Sequence, residues 1–241
     1  MVILENDWFA LDGVSCTSVG LSCDTPPVQI MANRTGNLYQ VGIDESLYTP
    51  DDQYSDITFK FRCFAMRPDS FDTSAVYAFL QNKSILTMSR NSGYFYKIRK
   101  ITCTPDQKYD GRRIDYTISI QCAPFKYIVD DEEITITGHG DVYNNGTRYC
   151  RPVYEIELAF PYTGTGCLTV NNQPLTISIE SITVPKIVID TEKMMAYAPQ
   201  SGTNMTMYTS GIYRYLNVGR NGVAVTGFCQ SVKIKRNQRC Y

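Results

Sequence analysis

Apolar and polar positions alternate with period two along several stretches of this chain. Between positions 57 and 64, Ile57, Phe59, Phe61 and Cys63 share one parity, and Thr58, Lys60 and Arg62 share the other. That pattern predicts a strand with one buried and one wet face. The stretch from Ile114 to Cys122 repeats it, with Ile114, Tyr116, Ile118, Ile120 and Cys122 inward and Asp115, Thr117, Ser119 and Gln121 outward. Asp110-Gly111, ahead of that strand, is a hairpin turn signal. One short helix is predicted over Ala75 to Asn82, capped by Asp72-Thr73-Ser74, laying Val76, Phe79 and Leu80 on the sheet. The alternation ends near Gln121 to Tyr127, where an acidic run, Asp130 to Glu133, follows and reads as a solvated linker.

The second half reads as all β. Tyr154, Ile156 and Leu158 alternate with Glu155 and Glu157, and Ile177 and Ile179 alternate with Thr176, Ser178 and Glu180. Ile187 to Ile189, Met194, Tyr197, Val223, Val225, Val232 and Ile234 continue the series. Asn144-Asn145-Gly146, Gly164-Thr165-Gly166, Asn171-Asn172 and Asn221-Gly222 punctuate it as turns, with Gly at positions of positive φ. Many short strands separated by turn residues predict a β-sandwich. The fold class is thus mainly β. An α+β module occupies residues 1–136, and a β-sandwich occupies 137–241.

One segment of the first module stands apart. From Asn33 to Gln53 the alternation weakens, yet Leu38, Tyr39, Val41, Ile43, Leu47 and Tyr48 keep it too apolar for a solvated loop. It reads either as an arm for another subunit or as an irregular hairpin on its own domain.

Composition narrows the function classes. With 23 basic and 24 acidic residues the formal net charge is −1, which argues against binding nucleic acid through phosphate neutralisation. Lys233, Lys235, Arg236 and Arg239 cluster near the C-terminus, but Lys233 and Lys235 alternate with Val232 and Ile234 as the wet face of a last strand would. No basic-then-apolar leader and no apolar run of about 18 residues occurs, so synthesis and folding in a cytoplasm without membrane insertion are expected. Nine cysteines, an odd count without a CxxC, fit reduced thiols that pack as small hydrophobes.

Candidate chemistry is sparse. The single histidine, His139, lies between Gly138 and Gly140 and reads as a linker residue rather than a catalytic base. Neither a phosphate loop, a dinucleotide fingerprint nor a G-x-S-x-G motif is present. No catalytic, metal or cofactor site is expected. A sugar-binding sandwich is the alternative, for which Arg214, Asn217 and Arg220 are available. The only tryptophan, Trp8, belongs to the other module.

In order along the chain, the phrases resemble the distal tail (Dit) proteins, the baseplate hubs of siphovirus-type bacteriophages. They begin with Leu11-Asp12-Gly13-Val14, Arg34-Thr35-Gly36, the Phe59 to Phe64 strand, Phe79-Leu80, Ile85 to Ser89 and Tyr94 to Ile98. Cys122 to Tyr127, Asn145-Gly146-Thr147 with Arg151-Pro152, Ile187 to Glu192, and Leu216 to Asn221 complete them. The resemblance covers essentially the whole chain. It implies a homo-hexameric ring at the tail tip of the virion, with an arm, including Arg34 and Gly36, reaching to the neighbouring subunit. It further implies a galectin-like C-terminal sandwich, and partners in the tail tube protein, the tail-tip or lysin protein and receptor-binding proteins.

Overall fold

A computed structural model describes residues 8–25, 30–40, 46–66, 73–107, 113–159, 164–178 and 184–241, with backbone alone for 25, 37–40, 46–52, 106 and 107. The chain divides into two compact units, one of Met1–Val129 with Tyr241, the other of Asp130–Cys240. The break falls seven residues ahead of the expected 136/137 boundary. The reason is a short strand, Ile134–Thr137, that pairs antiparallel with Cys229–Lys235 inside the second unit.

In the first unit the strands are β1 (Phe9–Leu11), β2 (Val14–Ser15), β3 (Ser22–Thr25), β4 (Arg34–Gln40), β5 (Ser46–Tyr54), β6 (Ile57–Met66), β7 (Ile85–Met88), β8 (Tyr94–Gln107) and β9 (Arg113–Ile128). One antiparallel sheet runs β2-β1-β7-β8-β9-β6-β3, while β4 and β5 form a separate two-stranded ribbon. β6 buries Ile57, Phe59, Phe61 and Cys63 and exposes Thr58, Lys60 and Arg62, as its alternation dictates. A helix, α1 (Thr73–Leu80), buries Val76, Phe79 and Leu80. Phe9 links the two layers, with its ring 4.5 Å from that of Phe61 and 6.0 Å from that of Phe79. A fully buried side chain of this size contributes about 1.5–3 kcal/mol. The expected Asp110-Gly111 turn and the Asp72 cap lie outside the described residues.

β9 does not stop at the seam. It continues to Ile128, but its buried positions change parity between Cys122 and Ala123, from Ile114, Tyr116, Ile118, Ile120 and Cys122 to Ala123, Phe125 and Tyr127. Two register shifts lie opposite, between Tyr96 and Ile98 and between Ile98 and Lys100. From Tyr96 to Ile98 β8 advances two positions while β9 spans four, from Cys122 to Lys126, and such extra residues bend the bulged strand and turn its following side chains to the other face. A strict period-two reading therefore ends early.

In the second unit the strands are β10 (Ile134–Thr137), β11 (His139–Asn144), β12 (Val153–Leu158), β13 (Gly166–Val170), β14 (Gln173–Ile177), β15 (Lys186–Asp190), β16 (Met195–Tyr197), β17 (Thr209–Gly211), β18 (Gly219–Thr226) and β19 (Cys229–Lys235). They form two five-stranded antiparallel sheets, β10-β19-β12-β15-β16 and β11-β18-β13-β14-β17. Tyr154, Ile156, Ile187, Ile189, Val232 and Ile234 from the first meet Val142, Leu168, Leu175, Ile177, Val223 and Val225 from the second in one core. Lys233 and Lys235 sit on the wet face of β19. Asn171 and Asn172, both at positive φ, turn β13 into β14 as the sequence predicts. Met194 is 57% exposed at φ 54, a turn position outside the core series in which the pattern placed it. Ile179 and Glu180 lie outside the described residues.

The acidic run is solvated at Asp130, Glu132 and Glu133, as expected, but not at Asp131. Asp131 is nearly buried, and its carboxylate accepts from Arg236 Nε at 2.8 Å, from Gln238 Nε2 at 2.8 Å and from the Gln238 amide at 3.0 Å. Arg236 also donates to the carbonyls of Tyr143 and Glu132. Sequence reading missed the pair because its members lie 105 positions apart. Removing one partner from a buried pair strands the other charge. Asp131→Ala should therefore lower unfolding free energy by about 3–5 kcal/mol. Lys233→Ala, which removes an exposed bridge to Glu133, should leave it nearly unchanged. Chemical denaturation of both variants checks the contrast.

Candidate functional site

Two surfaces are candidates, the ribbon in the first unit and a concave sheet face in the second. The ribbon starts from Ala32, which is buried in the first unit's core. Its root is tied by the Ser55 amide and hydroxyl, both donating to the Asn33 carbonyl at 3.0 and 3.3 Å, and by Thr35 Oγ1 donating to the Gln53 carbonyl at 3.1 Å. Arg34 lies opposite Tyr54, and a register shift follows before Gly36 meets Pro50. Beyond it, Leu38 lies opposite Tyr48 and Tyr39 opposite Leu47. These are consecutive register positions, so the two pairs belong to opposite faces of the ribbon. Val41 and Ile43 lie outside the described residues.

The ribbon's edges set it apart. β4 and β5, of seven and nine residues, pair only with each other among the described strands. The strands that end the three larger sheet paths, β2, β3, β10, β16, β11 and β17, run from two to six residues. Proteins blunt open edges by keeping them short, and a lone hairpin is marginal in water. Here both outer edges lie open on the element with the least support of its own, whereas β8, whose pairing with β7 ends at Lys97, leaves one edge open inside a larger sheet among the described residues. Of the two sequence readings, an irregular hairpin or an arm, the backbone supplies a hairpin that leaves both outer edges open.

The concave face lies on β11, β18 and β13. Its lining includes His139, Asp141, Thr169, Asn172 and Arg220, around a volume of about 340 Å³. Gly222 and Ala224 floor it. An added Cβ at Gly222 would meet nothing within 4 Å, so the hollow exists because side chains are missing there. The Arg220 guanidinium bridges to the Asp141 carboxylate at 3.0 Å, both groups well exposed. An exposed pair of this kind adds little stability. Its effect is to hold a planar donor beside an acceptor, an arrangement suited to hydroxyl groups. His139 is the first residue of β11, not a linker. The outward parity of His139, Asp141 and Tyr143 against buried Val142 was the available signal.

Of the three residues named for a sugar site, only Arg220 lines this hollow. Arg214 donates to Gln173 Oε1 at 3.0 Å, and its carbonyl accepts from the Tyr154 hydroxyl. Asn217 is held through its backbone, with its amide donating to Asn221 Oδ1 and its carbonyl accepting from Asn221 Nδ2, both at 2.8 Å. Asn221 is fully buried inside β18, so Asn221-Gly222 is not a turn and Gly222 has no positive φ. Its amide also donates to Gly219 and accepts from Asn171, satisfying a loop that would otherwise bury unpaired groups at about 1–3 kcal/mol each. Gly146 likewise has no positive φ. A Cβ there would stand 2.3 Å from the Arg239 carbonyl oxygen, so close backbone approach requires the glycine. Asp190 caps the next turn by accepting from the amides of Glu192 and Lys193. The phrases that suggested a family thus have structural tasks in the second unit.

No protein-family model matches the chain, and no curated protein matches it. Solved structures do. The crystal structure of the Dit protein of phage SPP1, described as a paradigm of the hub adsorption apparatus in phages infecting Gram-positive bacteria, aligns with a TM-score of 0.71. The alignment has 12% identity and covers 95% of this chain and 98% of that one. Chains of the phage P2 baseplate in its activated conformation, with Ca or Sr, align with TM-scores of 0.52 and 0.53. Both have 9% identity and cover 96% of this chain and 98% of theirs. At these identities the likeness is one of fold. This chain has a mainly β, Dit-like fold along nearly its whole length.

Proposed function

We propose that this chain is a structural subunit of a phage tail tip, a hub that assembles as a ring through its β4–β5 ribbon. The observation that carries the reading is the ribbon itself, two long strands with open outer edges in a chain of Dit-like fold. A ring of identical subunits needs a heterologous contact that closes on itself. A ribbon that seats its free edge and its Leu–Tyr register pairs on the next subunit makes such a contact. The ring is hexameric in this proposal, with a galectin-like sandwich projecting from it. It joins the tail tube protein to the tail-tip or lysin protein and supports receptor-binding proteins. Its role in the virion is architectural, without catalysis or a cofactor.

Light scattering behind a sizing column tests the ring. The full chain should elute near 164 kDa, six times the 27.3 kDa subunit. Replacing residues 37–49 with a two-residue Asn-Gly turn should leave a folded monomer with an unchanged far-ultraviolet β signature. Assembly that survives this replacement would remove the ribbon from the contact.

The hollow on β11-β18-β13 favours a second reading, a carbohydrate site on the sandwich. Its floor of small residues and the Arg220–Asp141 pair would admit the vicinal hydroxyls of a neutral sugar. On that reading the full chain binds specific members of a glycan array, and Arg220→Ala weakens that binding by about tenfold, the loss of roughly one charge-assisted contact. An array without any specific signal would leave the hub role alone.

A further inference from the structure

Three thiols gather near the junction of β3 and β6. Cys16, in a short 3-10 turn, and Cys63 on β6 are buried, while Cys23 on the edge strand β3 is partly exposed. Cys23 stands directly opposite Cys63 in the ladder, and the two sulfurs are 3.4 Å apart. Directly opposed residues of an antiparallel pair have Cα atoms about 4.5–5.5 Å apart, within the roughly 4.4–6.8 Å that disulfides span. The register therefore supplies the backbone spacing that a disulfide needs.

We propose that Cys23 and Cys63 form an oxidisable pair that closes to a cross-strand disulfide when the protein meets a low-molecular-weight disulfide. Cys23, the more accessible thiol, attacks one sulfur of the oxidant as its thiolate. A mixed disulfide forms, and one small thiol leaves with the electron pair of the broken S–S bond and takes up a proton. Cys63, deprotonated in turn, attacks Cys23 Sγ and expels the second small thiol. Two protein thiols are oxidised by two electrons, and one small disulfide is reduced to two thiols.

The neighbouring cysteines sharpen the assignment. The Cys16 thiol is pushed far up, first by its hydrogen bond with Cys23 and then by burial, so it stays protonated beside the pair. Burial pushes Cys122, Cys150 and Cys229 up to about 12, which keeps them inert thiols. The bond would fix the edge strand to β6 and close a loop spanning 40 positions that contains the whole β4–β5 ribbon. A reducing compartment keeps the pair open and an oxidising one closes it. The inference stands on the register alone and does not require the hub role.

The test treats the folded full chain with oxidised glutathione, alkylates the remaining thiols and maps disulfides by peptide mass spectrometry without reduction. The proposal expects a Cys23–Cys63 peptide and seven alkylated cysteines out of nine. It also expects a melting temperature raised by about 5 °C or more and returned by dithiothreitol. Cys23→Ser, at a partly exposed position, should fold like the reduced protein and lose both the cross-link and the shift. Nine alkylated thiols after oxidation, or a bond mapped to Cys16 and Cys23, would overturn it.

Discussion

Every backbone amide and carbonyl taken from water must find a partner, and this requirement organises the molecule. Each unit meets it within antiparallel sheets whose outermost strands are short, although β8 pairs with β7, and β6 with β3, over only part of their lengths. The β4–β5 ribbon is where the requirement is left open. Its two strands satisfy each other along one edge only, at greater length than any outermost strand of the larger sheets. A hairpin open along both outer edges offers backbone groups that another strand can pair with. The functional proposal follows from that asymmetry more directly than from any cluster of reactive side chains.

The second unit answers the same requirement with side chains. Asn221 reaches from a strand to both backbone groups of Asn217, Asn144 donates to the Arg148 and Leu216 carbonyls, and Asp131 gathers Arg236 with Gln238. Each fixes an irregular segment to a regular strand. These buried polar groups are satisfied, and satisfied networks rigidify a core whereas half-satisfied ones cost it stability. They also explain how the sandwich can carry an irregular stretch between β17 and β18 while keeping two full sheets.

Much of the architecture was legible because burial on one face leaves a period-two trace. Ile57 to Cys63, Ile114 to Cys122 and Tyr154 to Leu158 all bury the predicted parity, and Val76, Phe79 and Leu80 of the helix do the same. The trace failed where geometry departs from an ideal ladder. The shifted register of β8 against β9 moved the buried parity at Ala123 and hid the last third of a sixteen-residue strand. Asn-Gly at 221–222 looked like a turn, and Gly146, in the real turn after β11, looked like a positive-φ position, because local chemistry cannot reveal a buried amide clamp or a backbone carbonyl arriving from Arg239. Arg214, Asn217 and Arg220 are near in sequence, but strand parity and the Asn221 clamp give them different tasks. His139 and Asp141, which do share the hollow with Arg220, come from a strand about 80 positions away. The Cys23–Cys63 contact was hidden for the same reason, since register across 40 positions is a tertiary property.

Amide hydrogen exchange over residues 34–54, measured on dilute monomer and on assembled protein, tests the central claim most directly. If the ribbon completes its pairing only on a neighbouring subunit, its amides exchange rapidly in the monomer and become strongly protected on assembly. The core strands β6 and β9 should be protected in both. Ribbon amides equally protected in monomer and assembly would contradict the account, because the hairpin would then be complete without a partner.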